Sequence, residues 1–217
     1  MRVSTGTPSS GPDEAIPRPV SESLLVIGTR AASGLAVQLG GETCEVPAVA
    51  LDGAWSAGPA IEEWRATTIE GPRASGVVVA VWPESPRPVA LADQDLGQWV
   101  SAMEVPFALW FAALGAGAER CADGGQLVAV VDRTDPKDAG GWGAETAVAE
   151  AVTVMSRSLA QIHQHRGVRL NLVTSPTRLA GSPNGTMDEL VAAVALLLSN
   201  PGRAITSTVL HLGGGLR

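Results

Sequence analysis

The sequence predicts one α/β domain, a doubly wound and mostly parallel sheet with helices on both faces. Three observations predict it. Short, wholly apolar runs recur along the chain, as expected for strands buried on both faces. Helical patterns lie between those runs, and strands alternating with helices imply right-handed crossovers. The 217 residues are 45% hydrophobic and 17% charged, enough to bury a core without disulfides or a metal.

The start of the chain, residues 1–22, is rich in Ser, Gly and Pro and reads as a flexible tail; it has no continuous apolar segment of the kind a secretory signal carries. The domain is expected over residues 23–217. Its first strand is Leu24-Leu25-Val26-Ile27, closed by Gly28. Further strands are expected at Val77–Val81, Leu127–Val131, Val168–Val173 and Thr208–Leu212. Trp99–Ala118 reads as a long helix, apolar nearly all round. Ala144–His165 reads as a second, with Ala147, Ala151, Val154, Met155, Leu159 and Ile162 at helical spacing. Met187–Ser199 is a third, stopped by Pro201-Gly202.

Composition excludes several functions. Acidic residues outnumber basic ones 22 to 15, for a net charge of −7 and a pI near 4.9. Such a surface repels phosphate backbones and anionic lipid, so nucleic acid is not an expected partner. No apolar run reaches the roughly 18 residues of a membrane span, so no membrane association is expected. Cys44 and Cys121 are far apart, follow no metal-binding spacing and suit a reducing cytoplasm. His163 and His165, two apart near a helix end, point to different faces and read as dipole partners rather than a metal pair. Lys137 is the one lysine, in a loop, and tyrosine is absent.

After the first strand comes Gly28-Thr29-Arg30-Ala31-Ala32-Ser33-Gly34. Gly28 permits a tight turn, a small residue at Ala32 lets backbone approach a pyrophosphate, and Gly34 is expected to allow close helix–sheet packing. Four further segments follow in order. They are GGQLVAVV (Gly124–Val131), SRSLAQIHQHRGVRLNLV (Ser156–Val173), LVAAVALLLSN (Leu190–Asn200) and AITSTVLHLGGG from Ala204, with Gly213-Gly214 near its end. Together with the Gly-x-x-x-Ala-x-Gly turn, these resemble the short-chain dehydrogenase/reductase family, over nearly everything after the tail. The resemblance implies a Rossmann-like fold and, in active members, a nicotinamide cofactor with Asn, Ser, Tyr and Lys moving a proton beside the hydride donor.

The family's spacing carries over and its chemistry does not. The tyrosine position falls on Glu145, the lysine position on Ala149 and the serine position, thirteen before Glu145, on Asp132. The family's Asn-Asn-Ala-Gly is replaced by Ala80-Val81-Trp82-Pro83. Two readings of the carboxylates stand. Asp132 and Glu145 form an acid–base pair with one raised pKa. Alternatively, Asp132 turns the chain after its strand and Glu145 favours a helix dipole, a common role for carboxylates at helix starts.

The cofactor site is expected to be vestigial: Gly28, Ala32, Gly34 and Asp52, with no cofactor expected and NAD(P) the one the turn would admit. Asp52 follows Pro47–Leu51, roughly two dozen residues after Gly28, where the ribose-gripping acid belongs. Gly40-Gly41 interrupts the preceding helix, and the region from the second strand to the next large strand is abbreviated; the alternative is that the second strand is largely deleted. Trp82 and Trp142, at strand-to-loop ends, are candidates to plug the nicotinamide space.

The family associates through the two helices read here as Trp99–Ala118 and Ala144–His165. Their wide apolar coverage predicts a homo- or hetero-oligomer. The expected function is a degenerate, catalytically inactive pseudoenzyme paired with an active relative of the same family. The alternatives are an NAD(P)-dependent oxidoreductase using Glu145 as its acid, and a non-redox enzyme or ligand-binding protein reusing the crevice. No metal is expected.

Overall fold

The computed structural model describes residues 23–48, 54–83, 87–133, 140–179 and 186–213. Its strands are β1 (Leu24–Gly28), β2 (Glu42–Glu45), β3 (Ala74–Ala80), β4 (Cys121–Asp132), β5 (Arg169–Ser175) and β6 (Val209–His211). They form one parallel sheet in the order β2-β1-β3-β4-β5-β6. Its helices are α1 (Ser33–Leu39), α2 (Ala54–Ile69), α3 (Leu96–Trp99), α4 (Val105–Arg120), α5 (Gly143–Ile162) and α6 (Met187–Leu198). The doubly wound α/β architecture expected from the sequence is present.

The central strands are apolar because both faces are covered. Val77, Val79, Leu127 and Ala129 face the layer formed by α2, α4 and α5. Val78, Val128, Val130 and Val173 face α1 and α6. Alternate side chains therefore enter two separate cores, and the polar exceptions on the central strands, such as Gln126 and Asn171, are hydrogen-bonded. Helix α6 starts at a reciprocal cap: Thr186 Oγ1 accepts from the Glu189 amide at 3.2 Å, and Glu189 Oε2 accepts from the Thr186 amide at 2.8 Å.

The second strand departs from expectation. It lies at Glu42–Glu45, not at 47–51, and it is not deleted. Gly40, at φ 70°, ends α1 after seven residues, so the chain re-enters the sheet at once. As an edge strand paired only with β1, its Glu-Thr-Cys-Glu sequence is polar and carries no apolar run to reveal it. The abbreviation lies after it, where the single helix α2 leads directly to β3. The Trp64 indole donates to the Glu45 carbonyl at 2.9 Å and ties α2 to the end of β2. Asp52, Lys137, Gly214 and the expected tail fall outside the described residues.

Two other expectations are corrected. The helical run Leu96–Arg120 spans 25 residues, including a π-turn at Val100–Glu104, and is long and apolar enough by length and composition to cross a membrane. In this fold Leu109, Trp110 and Leu114 of that run are buried against the sheet. His163 lies beyond the end of α5 in a 3₁₀ turn, where burial pushes its pKa down and favours the neutral ring. His165 Nδ1 lies 2.8 Å from the Ile162 carbonyl at that end, while the Arg166 guanidinium reaches away to the Ala118 and Cys121 carbonyls.

Candidate functional site

Parallel register brings the carboxyl ends of the strands to one edge. Gly28 of β1 lies beside Ala80 of β3, and Asp132 of β4 beside Ser175 of β5. Because β1 sits between β2 and β3, the chain direction reverses here, and ligands of such sheets bind at this edge.

Gly28 is demanded by close approach: a Cβ there would lie 2.6 Å from the Ala80 carbonyl oxygen. Ala32 is buried, its methyl turned toward Gly28. Gly34 does not serve helix–sheet packing. It is exposed, and a Cβ would meet no atom within 4 Å. A groove of about 80 Å³ opens beside this turn, lined in part by Thr29, Arg30, Ser33, Thr43 and Glu45. Glu45, seventeen residues after Gly28 at the end of β2, stands where Asp52 was expected to act. The sequence signal that would have located it was Gly40-Gly41 read as a helix stop rather than as an interruption.

Beyond the groove the crevice is closed. Thr29 Oγ1 donates to the Trp82 carbonyl at 2.6 Å and accepts from the Trp82 amide at 3.0 Å, clasping the ends of β1 and β3 together. The Trp82 side chain, 2% exposed, lies on the α1/α6 side and donates from Nε1 to the Val130 carbonyl at 2.8 Å. Arg178, from the segment after β5, stacks its guanidinium 4.7 Å from the centre of the Trp82 ring. The same guanidinium donates from Nη1 to Asp132 Oδ2 at 2.8 Å and from Nη2 to the Pro83 carbonyl at 2.7 Å. Of the two tryptophans, Trp82 is the one stacked under Arg178 at the strand ends. Trp142 is buried at the N-terminus of α5.

Asp132 and Glu145 are brought together, as their spacing predicted. Both line a cavity of about 30 Å³ with Val81, Pro83, Trp110 and Val148, room for a water or two. Burial pushes Asp132 up to about 6; Arg178 opposes this by charge and hydrogen bond, and Glu145 adds to it. The ion pair and the raised pKa pull in opposite directions, and desolvation prevails. Glu145, in the first turn of α5, is also raised by burial. Asp132 is the last residue of β4, and the segment it would turn lies outside the described residues. Asp132 anchors Arg178, a residue the sequence reading missed because nothing local marks it. Ala149 is fully buried in α5, where its carbonyl also accepts from Thr153 Oγ1 at 2.8 Å.

This edge offers two different environments. The groove at the β1 turn has the hydroxyls and carboxylate suited to a ribose and phosphate. At the ends of β3 and β4 Trp82 and Arg178 fill the space between the strands.

No protein-family model matches the chain, and a search of curated proteins finds no match. Solved structures do match. A blue fluorescent protein from a metagenomic library, in complex with NADPH, is 16% identical; the match covers 91% of this chain and 98% of that one, with a TM-score of 0.66. A short-chain dehydrogenase/reductase from Serratia marcescens is 15% identical, covering 90% and 98%, with a TM-score of 0.64. BdcA, in complex with NADPH, is 16% identical, covering 91% and 96%, with a TM-score of 0.62. The chain has the short-chain dehydrogenase/reductase fold. At these identities the likeness establishes the fold and leaves activity open.

Proposed function

We propose that this chain is a non-catalytic member of that structural class, which acts by assembling with an active oxidoreductase of the same fold. The observation that carries the reading is the Trp82–Arg178–Asp132 cluster at the mouth of the sheet, together with Glu145 and Ala149 at the positions where the resembled family keeps its proton-donating tyrosine and lysine. A carboxylate and a methyl cannot reproduce a phenol whose pKa a neighbouring ammonium lowers.

The assembly part draws on the outer faces of α4 and α5. Phe107, Phe111, Val154 and Ile162 are exposed, Phe111 at 61% and Val154 at 66%. The stripe of α5 legible in the sequence is divided: Ala147, Val154 and Ile162 are exposed, Ala151, Met155 and Leu159 are half-buried with Met155 and Leu159 packed on the core, and Val148, Ala149 and Val152 face the core. An apolar stripe on the side away from its own sheet supports a partner there.

The test is co-expression with genomically neighbouring dehydrogenases of this fold. A tyrosine-containing partner is expected to co-purify with the wild-type chain and to be lost from Phe111→Glu, a folded variant with a charge on the contact face. A stable homo-oligomer that recruits no such partner overturns the reading.

A second reading, an NAD(P)-dependent oxidoreductase using Glu145, is favoured by the open groove at the β1 turn and by the NADPH in two similar structures. It requires NADPH-dependent carbonyl reduction by the purified chain, falling at least about a hundredfold in Glu145→Gln, the usual worth of a general acid. No turnover in the wild type removes it.

A further inference from the structure

At the opposite edge of the sheet, where the strands begin, β3 and β4 fall out of register. Ala74 pairs with Cys121 and Gly76 with Gln126, so two steps along β3 face five along β4, and Ala122–Gly125 loops outward. Guanidinium groups hold this loop. Arg166 donates to the Cys121 and Ala118 carbonyls, and Arg169 Nη2 donates to the Gly124 carbonyl at 2.8 Å. Asp123 Oδ1 accepts from both Arg73, at 3.3 Å, and Arg166, at 2.8 Å.

Beside the loop lies a cleft of about 110 Å³, lined in part by Arg169, Arg203, Gln126, Asn200 and Asp123. Its charge is unbalanced. The carboxylate of Asp123 is already shared by Arg73 and Arg166, and among the described residues neither Arg169 nor Arg203 has an ion-pair partner. Arg169 and Arg203 line this one cleft, and burial, then the charge of Arg203, depress the pKa of Arg169. Gln126 is 4% exposed; its Nε2 donates to the Ser199 carbonyl at 3.2 Å, while its Oε1 and the Arg169 Nε are buried without partners among the described residues. Buried polar groups are rarely left without a partner; the Arg169 Nε is a donor that an anion satisfies, whereas the Gln126 Oε1 is an acceptor and takes no part in holding one.

The cations are not explained as caps for the nearby end of α6. The Leu196 carbonyl receives the Ser199 amide at 3.1 Å and its hydroxyl at 2.6 Å, and the Ser199 carbonyl receives Gln126. Two like charges brought together in a chain of net charge −7 call for an anion between them.

We propose that this cleft, between Arg169 and Arg203, binds a small oxyanion of the phosphate class, either free phosphate or the terminal group of a phosphomonoester. Guanidinium forks match phosphate oxygens, and the cleft is large enough for one tetrahedral group. The site lies on the strand-start edge, away from the β1 turn, and does not depend on the assembly proposed above.

The test is calorimetric titration of the full chain with inorganic phosphate and with phenyl phosphate, at ionic strength matched with sodium chloride. Saturable one-to-one binding is expected. Arg203→Gln, an exposed side chain without an ion-pair partner among the described residues, is expected to weaken it about tenfold or more, the usual loss when a charge-assisted contact is removed. Arg169→Gln should abolish it, and because Arg169 also holds Gly124, Arg203→Gln remains the deciding variant. Tighter binding of phenyl phosphate identifies a monoester, and equal binding identifies free phosphate. Heat no greater than that of chloride, or identical affinity in Arg203→Gln, overturns the proposal.

Discussion

Trp82→Ala is expected to lower the stability of the chain by about 3–5 kcal/mol, the usual cost of emptying a buried aromatic site. For a domain of this size that corresponds to roughly 6–20 °C in Tm, read by circular dichroism. Two losses add. The indole volume disappears from a site that is 2% exposed, and the Val130 carbonyl loses its donor. Arg178 also loses the ring it stacks on, leaving its guanidinium with Asp132 and Pro83. Trp82→Phe separates the contributions, since it keeps most of the volume and gives up the hydrogen bond, for about 1–3 kcal/mol. The same variant bears on function. If the indole is what excludes a nicotinamide, NADPH fluorescence should respond to Trp82→Ala and not to the wild type. Equal affinity in the two proteins would falsify the plug.

Asp132→Asn is expected to change how stability depends on pH. In the folded chain Asp132 titrates near 6, against an ordinary value of 3.8, because burial outweighs Arg178. Between those values the folded state holds a proton that the unfolded state has released. Its stabilising contribution is therefore complete below about pH 4 and is lost as the pH rises through about 6. At 1.36 kcal/mol per pH unit, the wild type should lose up to about 3 kcal/mol relative to Asp132→Asn between pH 4 and pH 7. Urea denaturation of both proteins at several pH values measures it, and the comparison cancels the titration of carboxylates that do not interact with Asp132. A constant difference between the two across that range sinks the assignment. Glu145→Gln should move the Asp132 midpoint downward, since the Glu145 charge contributes to raising it.

Much of this edge was legible before the fold. Asp132 and Glu145 were paired by a thirteen-residue spacing, and they do line one cavity, because a strand end and the first turn of the following helix are near neighbours on the same side of the sheet. The partner of Asp132 was not legible. Arg178 lies 46 residues away, and 95 residues separate it from Pro83, whose carbonyl it also engages. The second strand was misplaced for a different reason. An edge strand with one neighbour has no need of apolar residues, so Glu42–Glu45 lacks the signature that marked the buried strands. On α5, periodicity identified a helix but could not say which of two apolar stripes meets the sheet, since Ala147/Val154 and Val148/Val152 are both helically spaced.

By itself, the sequence determined the alternation of buried strands and helices and the loss of the tyrosine-based chemistry. Both are properties of residue type and short-range order, because burial repeats with the period of the element and a missing phenol is missing in any fold. Only the tertiary structure decided that Trp82 and Arg178 close the mouth of the sheet, and that Arg169 and Arg203 share a cleft at its other end. Those outcomes depend on side chains meeting across strands far apart in the chain, where packing and charge, not local pattern, choose the neighbours.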